Sequence, residues 1–218
     1  MIEIVDYKNI FYPSKNDSAV VRSLLNNRVW EKKIIKIFNK YVKKDDTVLD
    51  VGSYIGLHTF TLSELANKVY SFEPVPLISK CVEKSIKAKN IKNVIHLNVA
   101  CGDTSHKTFI HTNHNGDSSL AGIRDHMFIQ KFECQVIKLD DKIYESIKLI
   151  KIDVEGSEWS VLNGASRIIE DCKPIIILET FKTKRNLKNL VEFCEYYNYN
   201  FEYISGDNYL LLSKDLEI

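Results

Sequence analysis

The sequence predicts an α/β fold: a doubly wound, mostly parallel sheet covered by helices and ended by an antiparallel C-terminal hairpin. Three observations predict it. Short apolar runs alternate with amphipathic stretches along the 218 residues, the pattern of strands buried on both faces by crossover helices. Four of those runs end on a carboxylate, Asp50, Glu73, Asp153 and Glu179. The chain then finishes with two strand-like stretches around Ser205-Gly206-Asp207, which read as a hairpin whose last strand runs antiparallel.

Taken in order, residues 18–28 and 29–43 are expected to be helical, the second with Trp30, Ile34, Ile37, Phe38 and Tyr41 at helical spacing and solvated lysines between them. Residues 47–50 form a short strand, followed by a glycine turn and a helix over 57–66. Residues 68–73 are a second strand. Pro74 and Pro76 then lead into a helix ending near Lys89, and 94–99 is a third strand. The stretches 107–110 and 132–139 alternate as strands do and flank the polar loop HTNHNGDSSLAG. A strand at 149–153, a helix over 158–171, an apolar strand at 174–179 and a helix over 186–198 precede the hairpin at 200–204 and 208–212. No repeat or low-complexity linker divides the chain, and 44% apolar content suits one core. The expected organisation is an N-terminal helical cover segment, 1–46, on a ligand-binding domain, 47–218, in one compact domain.

Composition narrows the function. Thirty basic against 29 acidic residues leave a net charge of +1, so no cationic surface points to nucleic acid or an anionic membrane. No apolar stretch approaches the roughly 20 residues of a membrane span, and the first residues lack a signal peptide's pattern. A soluble, cytoplasmic protein is expected. The five cysteines, Cys81, Cys101, Cys134, Cys172 and Cys194, are odd in number and lack a Cys-x-x-Cys pair, as free thiols in a reducing compartment would.

In doubly wound sheets ligands sit beyond the carboxyl ends of the strands, where strand order switches. Any one strand-end carboxylate could cap the next helix; four together favour a site. In VLDVGSYIGLHTF, Gly52 and Gly56 allow positive φ and remove a Cβ that would block a ligand. The spacing Asp50-x-Gly52-x-x-x-Gly56 lacks the third glycine of a pyrophosphate-binding turn. Asp50 would suit a ligand carrying an ammonium and a sulfonium better than an anion. Glu73, about twenty residues beyond the turn, can accept two hydrogen bonds from a ribose diol. Together they suggest an adenosine cofactor without a phosphate.

The segments VLDVGSYIGLHTF, VYSFEPVP, NVACGD, GDSSL, KLDD, LIKIDVEGSEWSVLNGA and PIIILE, in that order between Thr47 and Glu179, resemble the FkbM-type methyltransferases, which are S-adenosylmethionine-dependent. The resemblance implies a Rossmann-like class I methyltransferase fold, with a seven-stranded sheet whose last strand is antiparallel. That agrees with the hairpin read independently. It also implies S-adenosylmethionine as cofactor, with Asp50, Gly52 and Gly56 around its methionine part, Glu73 on its ribose, and Ser53, Tyr54 and Asp153 as further cofactor-binding residues. Ala100 and Cys101 would border the adenine. The family usually has Asn where this chain has Tyr54, so the contact made there differs. Ser118 and Ser119 match the family's SSL and would shape the acceptor side.

Methyl transfer needs acceptor oxygen, methyl and sulfur held in line, and a hydroxyl acceptor must lose its proton to a base or through a metal. Asp153 and Glu155 are the main candidates for binding and deprotonating the acceptor, with Glu179 and His58 as further catalytic candidates; His58 could equally be a plain helix-start residue. Glu158 reads as a helix cap. Asp153 with Glu179 could hold Mg²⁺ through oxygen ligands. His111 and His114 could reach over the site from the polar loop, but form no zinc pattern, and His96 reads as structural. The expected acceptor is a hydroxyl of a sugar, glycan or related small molecule, with Tyr12, Trp30 and Trp159 available to stack on it. Trp30, by its spacing, reads as core. Alternatives are a metal-assisted O-methyltransferase of a natural-product hydroxyl and a non-catalytic nucleoside-cofactor-binding module. A nicotinamide oxidoreductase would share the fold but not the turn. Residues 1–46 would cover the acceptor site or form a homodimer contact.

Overall fold

The alternation of apolar and amphipathic runs folds as a sheet between helical layers. The structure is a computed structural model that describes residues 3–14, 18–112, 118–119 and 130–215, with 118, 119 and 130 described through their backbone. A hairpin of β1 (Ile4–Tyr7) and β2 (Ile10–Pro13) precedes α1 (Ala19–Leu25) and α2 (Lys32–Tyr41). Then come β3 (Thr47–Val51), α3 (Leu57–Leu65), β4 (Lys68–Phe72), α4 (Pro76–Ala88) and β5 (Val94–Leu97). The next group is β6 (Ala100–Cys101), β7 (His106–Thr112), β8 (Ser118–Ser119), β9 (Gln130–Ile137) and α5 (Leu139–Lys142). After β10 (Leu149–Ile152) follow α6 (Glu158–Asn163), α7 (Ser166–Cys172), β11 (Ile175–Glu179), α8 (Lys184–Tyr197), β12 (Tyr199–Ser205) and β13 (Asn208–Ser213).

Seven strands form the central sheet in the order β12-β13-β11-β10-β3-β4-β5. The pairs β3–β4, β4–β5, β3–β10 and β10–β11 are parallel, whereas β13 runs antiparallel to both β11 and β12. The mostly parallel sheet with an antiparallel terminal strand is the one expected. From β3 the chain builds outward to β4 and β5, then returns to place β10 on the other side. The carboxyl ends of β3 and β10 are therefore the switch point at which such sheets take ligands. A smaller sheet, β6-β9-β7-β8, holds the strands expected on either side of the polar loop.

Strand alternation divides the core. Ile150, Ile152, Ile176 and Leu178 pack with Val161, Leu162, Ile168, Leu190 and Phe193 of α6, α7 and α8. Their neighbours Leu149, Ile175 and Ile177 point the other way, toward Ile34 and Phe38 of α2 and Leu62 of α3. Nearly every side chain of these central strands is buried, so their sequences are apolar without a period.

Two local expectations need correction. The segment 1–46 is not helical throughout: it starts with the β1–β2 hairpin, turned at Lys8 and Asn9 with φ of 54° and 63° and held by the Asn9 N–H donating to Asp6 Oδ1 at 2.8 Å. The helix expected over 158–171 is two helices. Gly164 sits at the break, where a Cβ would lie 1.9 Å from the Gly102 carbonyl oxygen. The new helix start is capped from α5, because the Asp140 carboxylate accepts from the Arg167 and Ile168 N–H groups at 2.9 and 3.1 Å.

Gly52 closes the switch point. Its φ is +82°, and a Cβ there would stand 1.7 Å from the Asp153 carbonyl oxygen. Gly156 also has positive φ, +107°, but an added Cβ meets nothing within 4 Å. Gly52→Ala is therefore expected to destabilise the protein by about 3 kcal/mol or more, strain and overpacking combined. Gly156→Ala should cost about 1–2 kcal/mol, the strain alone. Urea unfolding midpoints of the two variants check this; equal losses would refute the close crossing.

Candidate active site

Lys151, Asp50, Ser71 and His96 are register partners across β10, β3, β4 and β5, so one polar row crosses four apolar strands. Lys151 is 2% exposed, and Asp50 and Ser71 are 0% exposed. Groups buried this deeply need partners, and α3 and α4 supply them. The Thr59 hydroxyl donates to Asp50 Oδ2 at 2.5 Å, and Ser71 Oγ lies 3.2 Å from Thr59 Oγ1. Ser71 Oγ and Ser79 Oγ each stand 2.9 Å from the His96 ring, at Nδ1 and Nε2. Burial pushes His96 down to about 4, so the ring is neutral. With the Thr59 proton spent on the carboxylate, the network assigns one direction. Ser79 donates to Nε2, Nδ1–H donates to Ser71, and Ser71 donates to Thr59. The chain terminates on Asp50, whose Oδ1 is buried without a hydrogen-bond partner.

Lys151 supplies the opposing charge. Burial alone would lower its pKa, but Asp153, Asp50 and Glu31 together outweigh that and hold the ammonium protonated. Its Nζ lies 3.0 Å from Asp153 Oδ2.

Past these strand ends opens a cavity of about 1030 Å³, open solvent at its mouth included, large enough for a nucleoside-sized ligand. Its walls carry five carboxylates, Glu31, Glu73, Asp153, Glu155 and Glu179, and no cationic side chain among the described lining residues. Glu31, Tyr54 and Glu155 line it with left-handed φ of 43°, 50° and 54°, a strained conformation for side chains with a Cβ that concentrates at functional sites.

Glu73 is 4% exposed. The Tyr54 and Val75 N–H groups donate to its Oε2 and Oε1 at 3.0 and 2.8 Å, leaving each oxygen room for a second donor. Burial, abetted by the charges of Asp153 and Asp50, pushes this carboxyl up to about 7 despite those bonds. Glu179 is also raised, by burial first and then by the charge of its hydrogen-bonded neighbour Asp153, with Lys151 opposing. Asp153 thus stands between Glu179, to which it is hydrogen-bonded, and the Lys151 ammonium.

The N-terminal segment forms part of the wall through Ser18, Val20, Trp30 and Glu31. The Tyr54 hydroxyl is hydrogen-bonded to Ser18 Oγ at 3.1 Å. Glu31 bridges two elements: Oε2 lies 2.7 Å from His58 Nε2, and Oε1 accepts from Asn208 Nδ2 at 3.0 Å.

Of the residues expected from the sequence, Gly52, Tyr54, Glu73, Ala100, Cys101, Asp153, Glu155 and Glu179 share this cavity. Asp50, Ser53, Gly56 and His58 stand behind its wall. Asp50 serves the polar row, and Ser53 is buried. Gly56 begins α3 with φ +87°, where a Cβ would lie 2.7 Å from the Phe60 ring. That bareness accommodates packing rather than a ligand, and the space beside Gly52 is likewise taken by Asp153. His58, edge-on to Phe38 at 5.4 Å between ring centroids, supports Glu31 instead of facing the cavity. Glu158 accepts from the Gly156 N–H at 2.6 Å and closes the helix turn. The aromatic expectations change places: Trp30 lines the cavity, Tyr12 is buried in a core cluster, and Trp159 packs against the main core. His111 lies in β7, paired with Ser119 of β8; His114 lies outside the described residues.

Lys151, Glu31 and Thr59 were missed as site residues. Lys151 did leave a signal, a lone charge inside Leu-Ile-Lys-Ile. Glu31 left none. Among the described residues no group of three or more His, Cys, Asp or Glu is gathered as a metal site, and no helix is long and apolar enough to cross a membrane. All five cysteines are unpaired.

Comparison with known proteins agrees with this fold. The hexuronic acid methyltransferase AglP of Haloferax volcanii is 27% identical over 156 residues, 67% of this chain and 61% of that protein. The chain thus spans about three fifths of the curated relative's length. The FkbM methyltransferase structure from Methylobacillus flagellatus superposes with a TM-score of 0.59 at 16% identity, covering 89% of this chain and 52% of that one. A Streptococcus mutans protein solved in complex with S-adenosylhomocysteine (SAH) gives 0.55 at 15% identity, covering 83% and 94%. Residues 50–201 match the model of the methyltransferase FkbM domain, and the chain belongs to that family.

Proposed function

We propose that the protein transfers a methyl group from S-adenosylmethionine to a hydroxyl of a sugar or glycan. The observation that carries this is the acid-lined cavity at the switch point, with Glu73 buried in one wall and the Asp153–Glu179 pair in another. Family membership supports the cofactor, and the hexuronic acid methyltransferase relative supports a saccharide acceptor.

The donor set fits the cofactor. Glu73 retains acceptor sites for a ribose diol, Ala100 and Cys101 would border the adenine, and the turn at Gly52 and Tyr54 would meet the methionine part. Bound there, S-adenosylmethionine supplies an electrophilic methyl on a cationic sulfonium. A wall of carboxylates favours that charge. The Asp153 carboxylate would accept the acceptor's hydroxyl hydrogen bond and take its proton as the new C–O bond forms. Lys151 would hold the Asp153 carboxylate in position for that transfer, and Glu155 would help orient the sugar. With Lys151 as counter-ion, the pair can manage this proton within the protein. Residues 1–46 would act as a cover, presenting Trp30 and Glu31 to the cavity and limiting water.

Glu73 generates a pH-dependent prediction. Its carboxyl is raised from 4.5 to about 7 in the ligand-free fold, so its contribution to stability is full below the lower value and lost as pH rises through the upper one. Ribose donors favour the charged form and reverse the shift. SAH binding at about pH 6 should therefore release a proton, detectable by calorimetry in buffers of different ionisation enthalpy. Glu73→Gln should abolish the release and weaken SAH about 10- to 100-fold, as expected for a lost hydrogen bond to a charged group. Buffer-independent heats in the parent protein would remove Glu73 from the ribose.

Asp153→Asn should lower kcat about 10²- to 10⁴-fold, the range of a lost general base, while SAH affinity stays nearly unchanged. Turnover on a panel of sugar acceptors, alongside SAH titration, separates the roles. Equal loss of both would assign Asp153 to the cofactor or the fold.

A further inference from the structure

We infer that a second cavity, across Trp30 from the first, receives an anionic sugar unit of the acceptor; this rests on the glycan reading above and extends it. The cavity encloses about 950 Å³, open solvent included, between the β1–β2 hairpin, the α1–α2 turn and α3. Tyr7, Trp30 and Phe60 give it aromatic surface, and Lys8, Arg28 and Lys89 give it three cations against one carboxylate, Glu64. Aromatic faces with polar groups around them suit a sugar ring, and the excess of cations suits an acidic one.

The wall between the cavities is thin. Trp30 lines both, and the Glu31–His58 pair, joined at 2.7 Å, contributes Glu31 to the first cavity and His58 to the second. His58 is 6% exposed and its Nδ1 has no hydrogen-bond partner. Nε2 is held by the Glu31 carboxylate, which fixes the ring in the wall between the cavities.

The two cavities differ in sign. Five carboxylates line the first, so an acidic group on the acceptor is repelled there and drawn to the basic rim of the second. The acceptor then spans both, with its neutral reacting hydroxyl at Asp153 and a carboxylate- or phosphate-bearing unit at Lys8, Arg28 and Lys89.

Trp30 reports occupancy directly, because the chain has two tryptophans and Trp159→Phe removes the other. In that full-length background, Trp30 emission is titrated with glucose, glucuronate and glucose 6-phosphate, each with and without SAH. One or both acidic sugars should act at lower concentration than glucose, and the responding one identifies carboxylate or phosphate as the anion. Arg28→Ala with Lys89→Ala should weaken that response at least about tenfold, as expected from lost charge-assisted hydrogen bonds. Equal responses to glucose and the acids, an unchanged response in the double variant, or no response to any of the three sugars would overturn the inference. SAH titration in the same samples tests the cofactor site separately, so failure of one site is distinguishable from failure of the other.

Discussion

The ammonium of Lys151 in the central strand is the constraint around which the site is built. A buried cation is tolerated only where several anions and hydrogen bonds replace its water. Asp153 follows on the same strand, Asp50 stands beside it on β3, and Glu31 comes from the N-terminal segment. The three come from distant parts of the sequence, so the charge ties the switch point to the segment that covers it. It also explains why Glu31 sits at a left-handed φ of 43° before α2: there its carboxylate reaches His58, Asn208 and the field of Lys151 together.

The polar row has a second consequence, for strand register. Along β10 and β3 apolar side chains alternate between two buried layers, so hydrophobicity alone distinguishes poorly between one alignment and its neighbour. A one-residue slip of β3 would carry Asp50 away from Lys151 and Thr59 and leave its buried carboxylate unpaired. The hydrogen bonds through Thr59, Ser71, His96 and Ser79 extend the same selection to β4 and β5. Polar groups in the core thus specify what the apolar ones leave degenerate.

This accounts for what was legible in the sequence. The central sheet, the hairpin and the cavity-lining strand-end carboxylates could be read because strand length, turn residues and a charge after an apolar run are local signals. The β1–β2 hairpin escaped because its strands are four residues each and its turn uses Lys8 and Asn9 instead of a glycine. The break before α7 escaped because its causes, the Gly102 carbonyl and the Asp140 carboxylate, arrive from elsewhere in the chain. Trp30 has the spacing of a core residue in α2, but the helix starts at Lys32, so Trp30 lies in the preceding turn and faces the cavity. Asp50 and His58 carry chemistry that suits a ligand, yet tertiary packing commits both to partners in the protein.

Five carboxylates line the cavity, and Lys151 is the ammonium set against them. Glu73 and Glu179 are both driven toward their neutral forms, by desolvation first and then by neighbouring carboxylates, and Lys151 serves the side of the cavity where Asp153 lies. A cationic ligand would supply charge to the remaining wall, return Glu73 to its ionised form and thereby strengthen the hydrogen bonds that hold it. Binding a cation at such a site would add stability to the fold. The raised carboxyls follow from the same arrangement: acids are gathered around a buried ammonium, and a second positive charge beside them would offset the repulsion among those acids.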